Sequence, residues 1–242
     1  TKQEIRNKGE DLLKQRALII RDAKEKMSKF PEVMKALIKE LNDDVRHLLL
    51  FCSENQYKEL EDMLDHPETN FNYKDRIDHV RITYKDPPNK KDRVKILNDF
   101  KNELWHVILS NRVLDEGMDV PEAKSCIILA STTNPAQFIQ RRGRVLRKLS
   151  GTYKDGTKKE YAYIFDLLVR PNIDGIENVS KDKKHTIEDI QKARKYEIRI
   201  IRNQLEKIET MSKLAKNHED LKQKIEEFKH GLPDECFEFD SN

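Results

Sequence analysis

Short apolar runs alternate with amphipathic helical stretches between residues 47 and 168, and this alternation constrains the fold most. The runs have the length and composition of buried β-strands and cover residues 48–52, 77–83, 107–110, 125–130 and 161–168. Helices are expected between them at 53–64, 90–100 and 136–147. Strands and helices that alternate in this way predict an α/β fold with a parallel sheet and helices on both faces.

The flanking stretches have a different texture. Residues 1–44 carry apolar positions at helical spacing, with a second helix expected to start at Pro31. An interrupted apolar stripe runs through residues 182–229. We therefore predict a helical lead segment at 1–44, an α/β domain at 45–169 and a helical C-terminal extension at 170–242.

The C-terminal extension has too thin a stripe to form a core by itself. We expect one long helix or a helical hairpin that packs partly on the α/β domain and partly offers a surface to a protein partner. The alternative is that it docks onto residues 1–44, whose own apolar stripe also needs cover.

Four arginines and one glycine fall within the eight residues 140–147, which we call the arginine segment. On a helix, Arg144 and Arg147 project from nearly the same face, so their guanidiniums can converge on one anion. A guanidinium keeps its charge and matches phosphate bidentately. Gly143 lets a ligand or another backbone approach closely. Most such clusters are solvated helix faces, but the strand-like runs on both sides favour a ligand here.

A second motif begins at the end of the third strand. Ser110 is followed by Gly117, Asp119 and Pro121. This order resembles motif V of superfamily 2 helicases and translocases. The pattern Gln-Arg-x-Gly-Arg-x-x-Arg at 140–147 resembles their motif VI, and its Gln and Val-Leu are most similar to the XPB and restriction-translocase branch. The resemblance covers about residues 45–169 and implies a RecA-like C-terminal motor domain.

The resemblance implies that several residues act on a nucleotide. Arg144 and Arg147 would be arginine fingers in the transfer of the γ-phosphoryl group of ATP to water, and Gln140 would link them to that phosphate. Asp119 would hydrogen bond the ribose, with Gly117 beside it in the nucleotide site.

Nucleic-acid contacts are expected mainly at strand ends. In parallel α/β sheets, ligands bind beyond the carboxyl ends of the strands, where Ser53, Thr83 and Ser110 fall. Arg93 resembles an arginine that grips phosphates in some relatives. A helix cap explains Ser53 equally well, and a surface salt bridge is the better interpretation of Arg93.

Some parts of an ATPase are missing from this sequence. It contains no G-x-x-x-x-G-K-[ST] phosphate loop and no Asp-Glu box. ATP and Mg²⁺ would therefore be held mainly by an N-terminal RecA-like domain of the same protein, and the chain would be inactive alone. Its start at Thr1, without methionine, suggests a piece of a longer protein.

Two other functions fit the same residues. One is a RecA-like module that binds nucleic acid or protein without any ATPase partner. The other is the C-terminal half of an RNA helicase, which Gln140 disfavours because those enzymes usually carry His there. DNA is therefore the expected nucleic-acid partner, in restriction or repair.

Composition adds few constraints. The net charge of +3 is too small to indicate nucleic-acid binding, so the local clustering of arginine has to support it. The three cysteines lack metal-ligand spacing, and we expect no metal site. Without a signal peptide or an apolar run of membrane-span length, the expected location is cytoplasmic, with no membrane partner.

Overall fold

Five short strands form one parallel sheet in the computed structural model, which describes residues 18–83, 87–111, 120–130, 135–170, 187–213 and 215–237. The strand order is β2-β3-β1-β4-β5, and each neighbouring pair is parallel. The strands are β1 Leu48–Phe51, β2 His79–Ile82, β3 Val107–Ser110, β4 Ser125–Ile128 and β5 Tyr163–Asp166. The predicted RecA-like α/β fold is confirmed, with strands somewhat shorter than the apolar runs.

The three inner strands are buried along their whole length, whereas the two edge strands are partly exposed. Continuous apolar runs such as Leu-Leu-Leu-Phe in β1 are typical of parallel strands covered on both faces. The helices around the sheet are α1 Lys24–Glu40, α2 Tyr57–Asp65, α3 Pro67–Phe71, α4 Lys90–Lys101 and α5 Pro135–Val145.

Helix α1 belongs to the same core as the sheet. Its buried face includes Phe30, Met34 and Leu37, which cluster with residues of β1 and β3. The prediction that Pro31 starts a new helix is wrong, because α1 runs through Pro31 without interruption. A proline inside a helix removes one backbone hydrogen bond, and the packing of Phe30 and Met34 on either side offsets that loss.

The chain divides into two compact units between Leu167 and Leu168. In the second unit, helices α6 Ile187–Ser212 and α7 His218–Lys229 form a hairpin, which realises one of the two arrangements predicted for the extension. Contrary to expectation, this unit has a small core of its own, because residues of α6 and α7 meet a final turn at Cys236. That core consists of Ile198, Ile201, Leu205, Ile225 and Cys236. A surface for a protein partner stays a prediction.

Within the described residues, none of the helices is both long and apolar enough to span a lipid bilayer.

Candidate functional site

The predicted hydroxyl residues are brought to one edge of the sheet. Ser110 lies in register with Phe51 of β1 and with Ile82 of β2. Ser53 follows β1 and Thr83 follows β2. All three hydroxyl residues therefore lie at the carboxyl ends of neighbouring strands. Ser110 is fully buried, and its Oγ has no hydrogen-bond partner among the described residues. A phosphate contact at Ser110 therefore requires that the edge open around it.

Ser53 is also fully buried and is tied to the start of the following helix. Its backbone N–H donates to Oε1 of Gln56 at 2.9 Å, which is one half of a capping box. Nearby, the carboxylate of Asp22 accepts a hydrogen bond from Asn55 at 2.9 Å. Burial of Asp22 opposes ionisation, but hydrogen bonds from groups including Arg21 outweigh it and lower the pKa of Asp22. This negative neighbour favours the cap interpretation of Ser53.

Arg93 lies on α4, whose first turn is capped by the Asn89 side chain. The Arg93 side chain is half-buried, and its Nε donates to the carbonyl oxygen of Pro87 at 2.9 Å. Part of its guanidinium is therefore engaged within the chain. Thr83 is half-buried directly after β2. Contacts of Arg93 and Thr83 with nucleic acid stay a prediction.

Within the arginine segment, Arg141 has a structural role. It is only 2% exposed and stacks over the ring of Phe51, 5.0 Å from its centroid. Its Nη1 donates to the carbonyl oxygen of Ala130 at 2.7 Å, and its Nη2 donates to that of Asn111 at 2.9 Å. One guanidinium thus joins the carboxyl ends of β1, β3 and β4 to helix α5.

The other predicted site residues of the segment have different surroundings. Arg144 is 8% exposed, whereas Gln140 and Arg147 are exposed. Helix α5 ends at Val145, so the prediction of a helix through Arg147 is wrong by two residues. The carbonyl oxygen of Val145 accepts a bond from Nζ of Lys159 at 2.7 Å, where a continuing helix would use a backbone N–H. Arg147 therefore follows the helix and is not on its face.

Gly143 is exposed on α5, and a Cβ built there meets no described atom within 4 Å. Its φ does not fall in the left-handed region that favours glycine. Packing within the described chain therefore gives no reason for glycine at this position. The room that it leaves is available to another domain or to a ligand.

Lys159 is a site residue that the sequence analysis missed. Its Nζ donates to two backbone carbonyls, to Pro121 at 2.9 Å and to Val145 at 2.7 Å. Burial lowers the pKa of Lys159 to about 8, against a smaller opposing effect of Glu122. Nothing in the sequence distinguishes Lys159 from the nearby Lys148, Lys154 and Lys158, because its bonds run to backbone atoms distant in the chain.

Gly117 and Asp119 lie outside the described residues, so their predicted contacts with a nucleotide remain predictions. The residues on either side of that stretch are described. Asn111 accepts the bond from Arg141, and Pro121 accepts the bond from Lys159.

Comparison with known proteins identifies the family. Residues 28–148, half of the chain, match the helicase conserved C-terminal domain. The DNA 3'-5' translocase XPB2 of Sulfurisphaera tokodaii is 42% identical over 67 residues, which are 28% of this chain and 15% of that protein. The ATP-dependent DNA helicase MPH1 of Kluyveromyces lactis is 36% identical over 63 residues, 26% of this chain and 6% of that protein. The chain thus spans a small fraction of these relatives.

Among solved structures, the Hef helicase domain of Pyrococcus furiosus is 19% identical, with a TM-score of 0.40 over 64% of this chain and 28% of that one. The C-terminal part of the Fun30 ATPase domain is 20% identical, with a TM-score of 0.44 over 64% of this chain and 45% of that one. The family match, the parallel sheet and motif VI at the end of α5 lead to one conclusion: the chain belongs to the helicase conserved C-terminal domain family, within superfamily 2.

Proposed function

We propose that this chain is the second motor domain of an ATP-dependent DNA helicase or translocase. In this proposal it supplies arginine fingers to a nucleotide held by a phosphate-loop domain of the same protein. The observation that carries the proposal is the difference in burial between the side chains of the arginine segment. Arg141 is enclosed by contacts with its own chain, whereas Gln140 on the same helix and Arg147 just beyond its end are exposed.

Charge around this helix supports an anionic ligand. No acidic residue occurs between Glu122 and Asp155, a stretch that includes the arginine segment. The arginine segment therefore carries positive charge and contributes no carboxylate of its own. The transition state of phosphoryl transfer spreads negative charge over the γ-phosphate oxygens, and arginine forks stabilise that charge in fixed directions.

The other ligands are divided between two domains in this proposal. ATP and Mg²⁺ are held mainly by the phosphate-loop domain, and Asp119 and Gly117 contribute to the nucleotide site from this chain. DNA runs along the carboxyl edge of the sheet, near Thr83, Ser110 and Arg93. DNA is favoured over RNA because both relatives above are named as acting on DNA and because Gln140 stands at the first position of motif VI.

The purified chain is expected to show ATP hydrolysis no higher than background, with or without DNA. The reason is that arginine fingers cannot replace the phosphate-loop lysine and the Mg²⁺ ligands. The protein that joins this chain to its phosphate-loop domain should hydrolyse ATP in a DNA-stimulated manner. DNA-stimulated turnover by the chain alone would overturn the proposal. A coding sequence without a phosphate loop upstream would instead favour a module that only binds nucleic acid or protein.

A further inference from the structure

Helix α5 is attached to the rest of its unit by a lysine beyond its C-terminus. The last carbonyl groups of a helix have no partner within it and carry a partial negative charge. Lys159 supplies a cation to one of them, Val145, and holds the carbonyl of Pro121 with the same ammonium. These two distances, 2.7 and 2.9 Å, are those of charge-assisted hydrogen bonds.

The position of this bridge matters because of what lies next to it. Arg144 directly precedes Val145, and Arg147 follows two residues later. Pro121 closes the motif V pattern that begins at Ser110. The ammonium of Lys159 therefore connects Val145, near the end of motif VI, to Pro121, at the end of motif V. Val145 is the last residue of α5, and Arg147 lies just beyond it.

We propose that Lys159 is a positioning residue, which fixes the last turn of α5 against Pro121 and thereby sets the place of Arg144 and Arg147. This inference rests on the proposed function of the two arginines. Lys159 acts through its two carbonyl partners and has no contact with the nucleotide in this role. Its partial burial, which lowers the pKa, strengthens both bonds because little water competes for the ammonium.

Loss of the bridge should release the last turn while leaving the core intact. Lys159→Met keeps the aliphatic stem and removes both hydrogen bonds, whereas Lys159→Arg can still donate to two carbonyls. Lys158→Met is the matched control, because Lys158 is the exposed neighbour and carries the same charge.

The first measurement is hydrogen exchange of the 242-residue chain, which does not depend on any catalytic role. In Lys159→Met, peptides that cover 141–150 and 120–125 should exchange about 10-fold faster, the effect of losing a stabilisation of about 1.4 kcal/mol. Peptides from β1 and β3 should keep their native rates. Lys159→Arg should restore slow exchange, and Lys158→Met should match the wild type. If Lys159→Met fails to fold, Lys159→Gln, which retains one donor group, takes its place.

The second measurement uses the full-length protein with its phosphate-loop domain. Lys159→Met should lower kcat about 10-fold and leave the KM for ATP within a factor of about 2, because small misplacements of catalytic groups cost mainly turnover. Unchanged exchange at 141–150 would overturn the bridge itself. Faster exchange with native kcat would overturn the positioning role. If the wild-type protein shows no DNA-stimulated hydrolysis, the proposed function fails, while the exchange result still decides whether the bridge exists.

Discussion

Two arginine-containing regions of this chain use the same side chain in opposite ways. At the amino ends of the strands, Arg46 is enclosed by carboxylates, with Asp44 and Glu103 each at 2.7 Å from its guanidinium. In the arginine segment, Arg141 donates to backbone carbonyls, and Arg147 is exposed. An arginine whose fork is filled by carboxylates of its own chain stabilises the fold and is unavailable to phosphate. The hydrogen-bond partners of an arginine therefore indicate its role better than its presence in the sequence does.

The ion-pair cluster of Arg46, Asp44 and Glu103 at the amino ends of the strands includes further residues. Lys124 bonds to Asp44 at 2.7 Å and lies over the ring of Tyr153, 4.2 Å from its centroid. Burial opposes ionisation of Asp44, but hydrogen bonds from Arg46 and Lys124 outweigh burial and lower its pKa to about 2. The charged groups of these residues pair with one another, and together they form a structural network.

The largest effect is expected for the two proposed arginine fingers. In the full-length protein, Arg144→Ala and Arg147→Ala should each lower kcat by about 10³-fold or more, because the guanidinium acts mainly in the transition state. Nucleotide affinity should change much less, and Arg→Lys should rescue poorly since the planar fork is lost. Steady-state hydrolysis and equilibrium nucleotide binding test this. Near-native turnover of either alanine variant would make that arginine structural.

The next largest effect concerns the pH dependence of stability at His47. This residue is 1% exposed and packs on Phe100 and Tyr153, with ring centroids 5.3 and 5.0 Å away. Burial, with a smaller effect of Lys124, lowers the pKa of His47 from 6.5 to about 4. The unfolded chain thus binds more protons between these values. The stabilisation from His47 is complete above pH 6.5 and is lost as the pH falls to about 4.

The difference between the two pKa values of His47 corresponds to about 3 kcal/mol of unfolding free energy. Denaturant unfolding measured from pH 7 to pH 4 checks this. His47→Asn is the control, because asparagine tolerates the positive φ of 65° at this position and does not titrate. A variant with the same pH dependence as the wild type would show that other groups cause the loss.

A smaller effect is expected for the carboxylate-bound arginine. Arg46→Ala should lower the unfolding free energy by about 1–3 kcal/mol, because Glu103 and Asp44 lose charged hydrogen bonds in a partly buried site. Arg76→Ala is the matched control. Arg76 also pairs with an aspartate, Asp78 at 2.7 Å, but its side chain is 87% exposed, so its removal should cost under about 1 kcal/mol. Equal losses in the two variants would contradict the network at the amino ends.

The smallest effect is expected at Gly143, where one substitution should affect the stability of the isolated chain and the turnover of the full-length protein differently. Gly143→Ala should stabilise the isolated chain by about 0.5–1 kcal/mol, because alanine favours a helix and its methyl group meets no described atom. In the full-length protein, the same methyl group should lower turnover if the phosphate-loop domain approaches α5 at this point. Thermal unfolding of the chain and hydrolysis by the full-length protein measure the two effects. A destabilised chain would contradict the open surroundings of Gly143.

The sequence predicted the strands well because each inner strand is a continuous apolar run, and burial on both faces requires that pattern. It could not show that α1 continues through Pro31, since the packing of Phe30 and Met34 decides that point. Composition also failed to separate Arg141 from its neighbours. Only the carbonyls of Ala130 and Asn111, distant in the chain, explain why this arginine is internal.

One paired measurement tests the contrast between the two arginine regions most directly. In full-length protein, kcat for DNA-stimulated hydrolysis and Tm are measured in the same preparations of Arg147→Ala and Arg46→Ala. We predict that Arg147→Ala loses about 10³-fold in kcat with an unchanged Tm. Arg46→Ala should lower Tm by several degrees, about 2–4 °C per kcal/mol for a domain of this size, and keep near-native kcat at low temperature. A native kcat for Arg147→Ala, or a large kcat loss for Arg46→Ala well below its Tm, would contradict the division between the two regions.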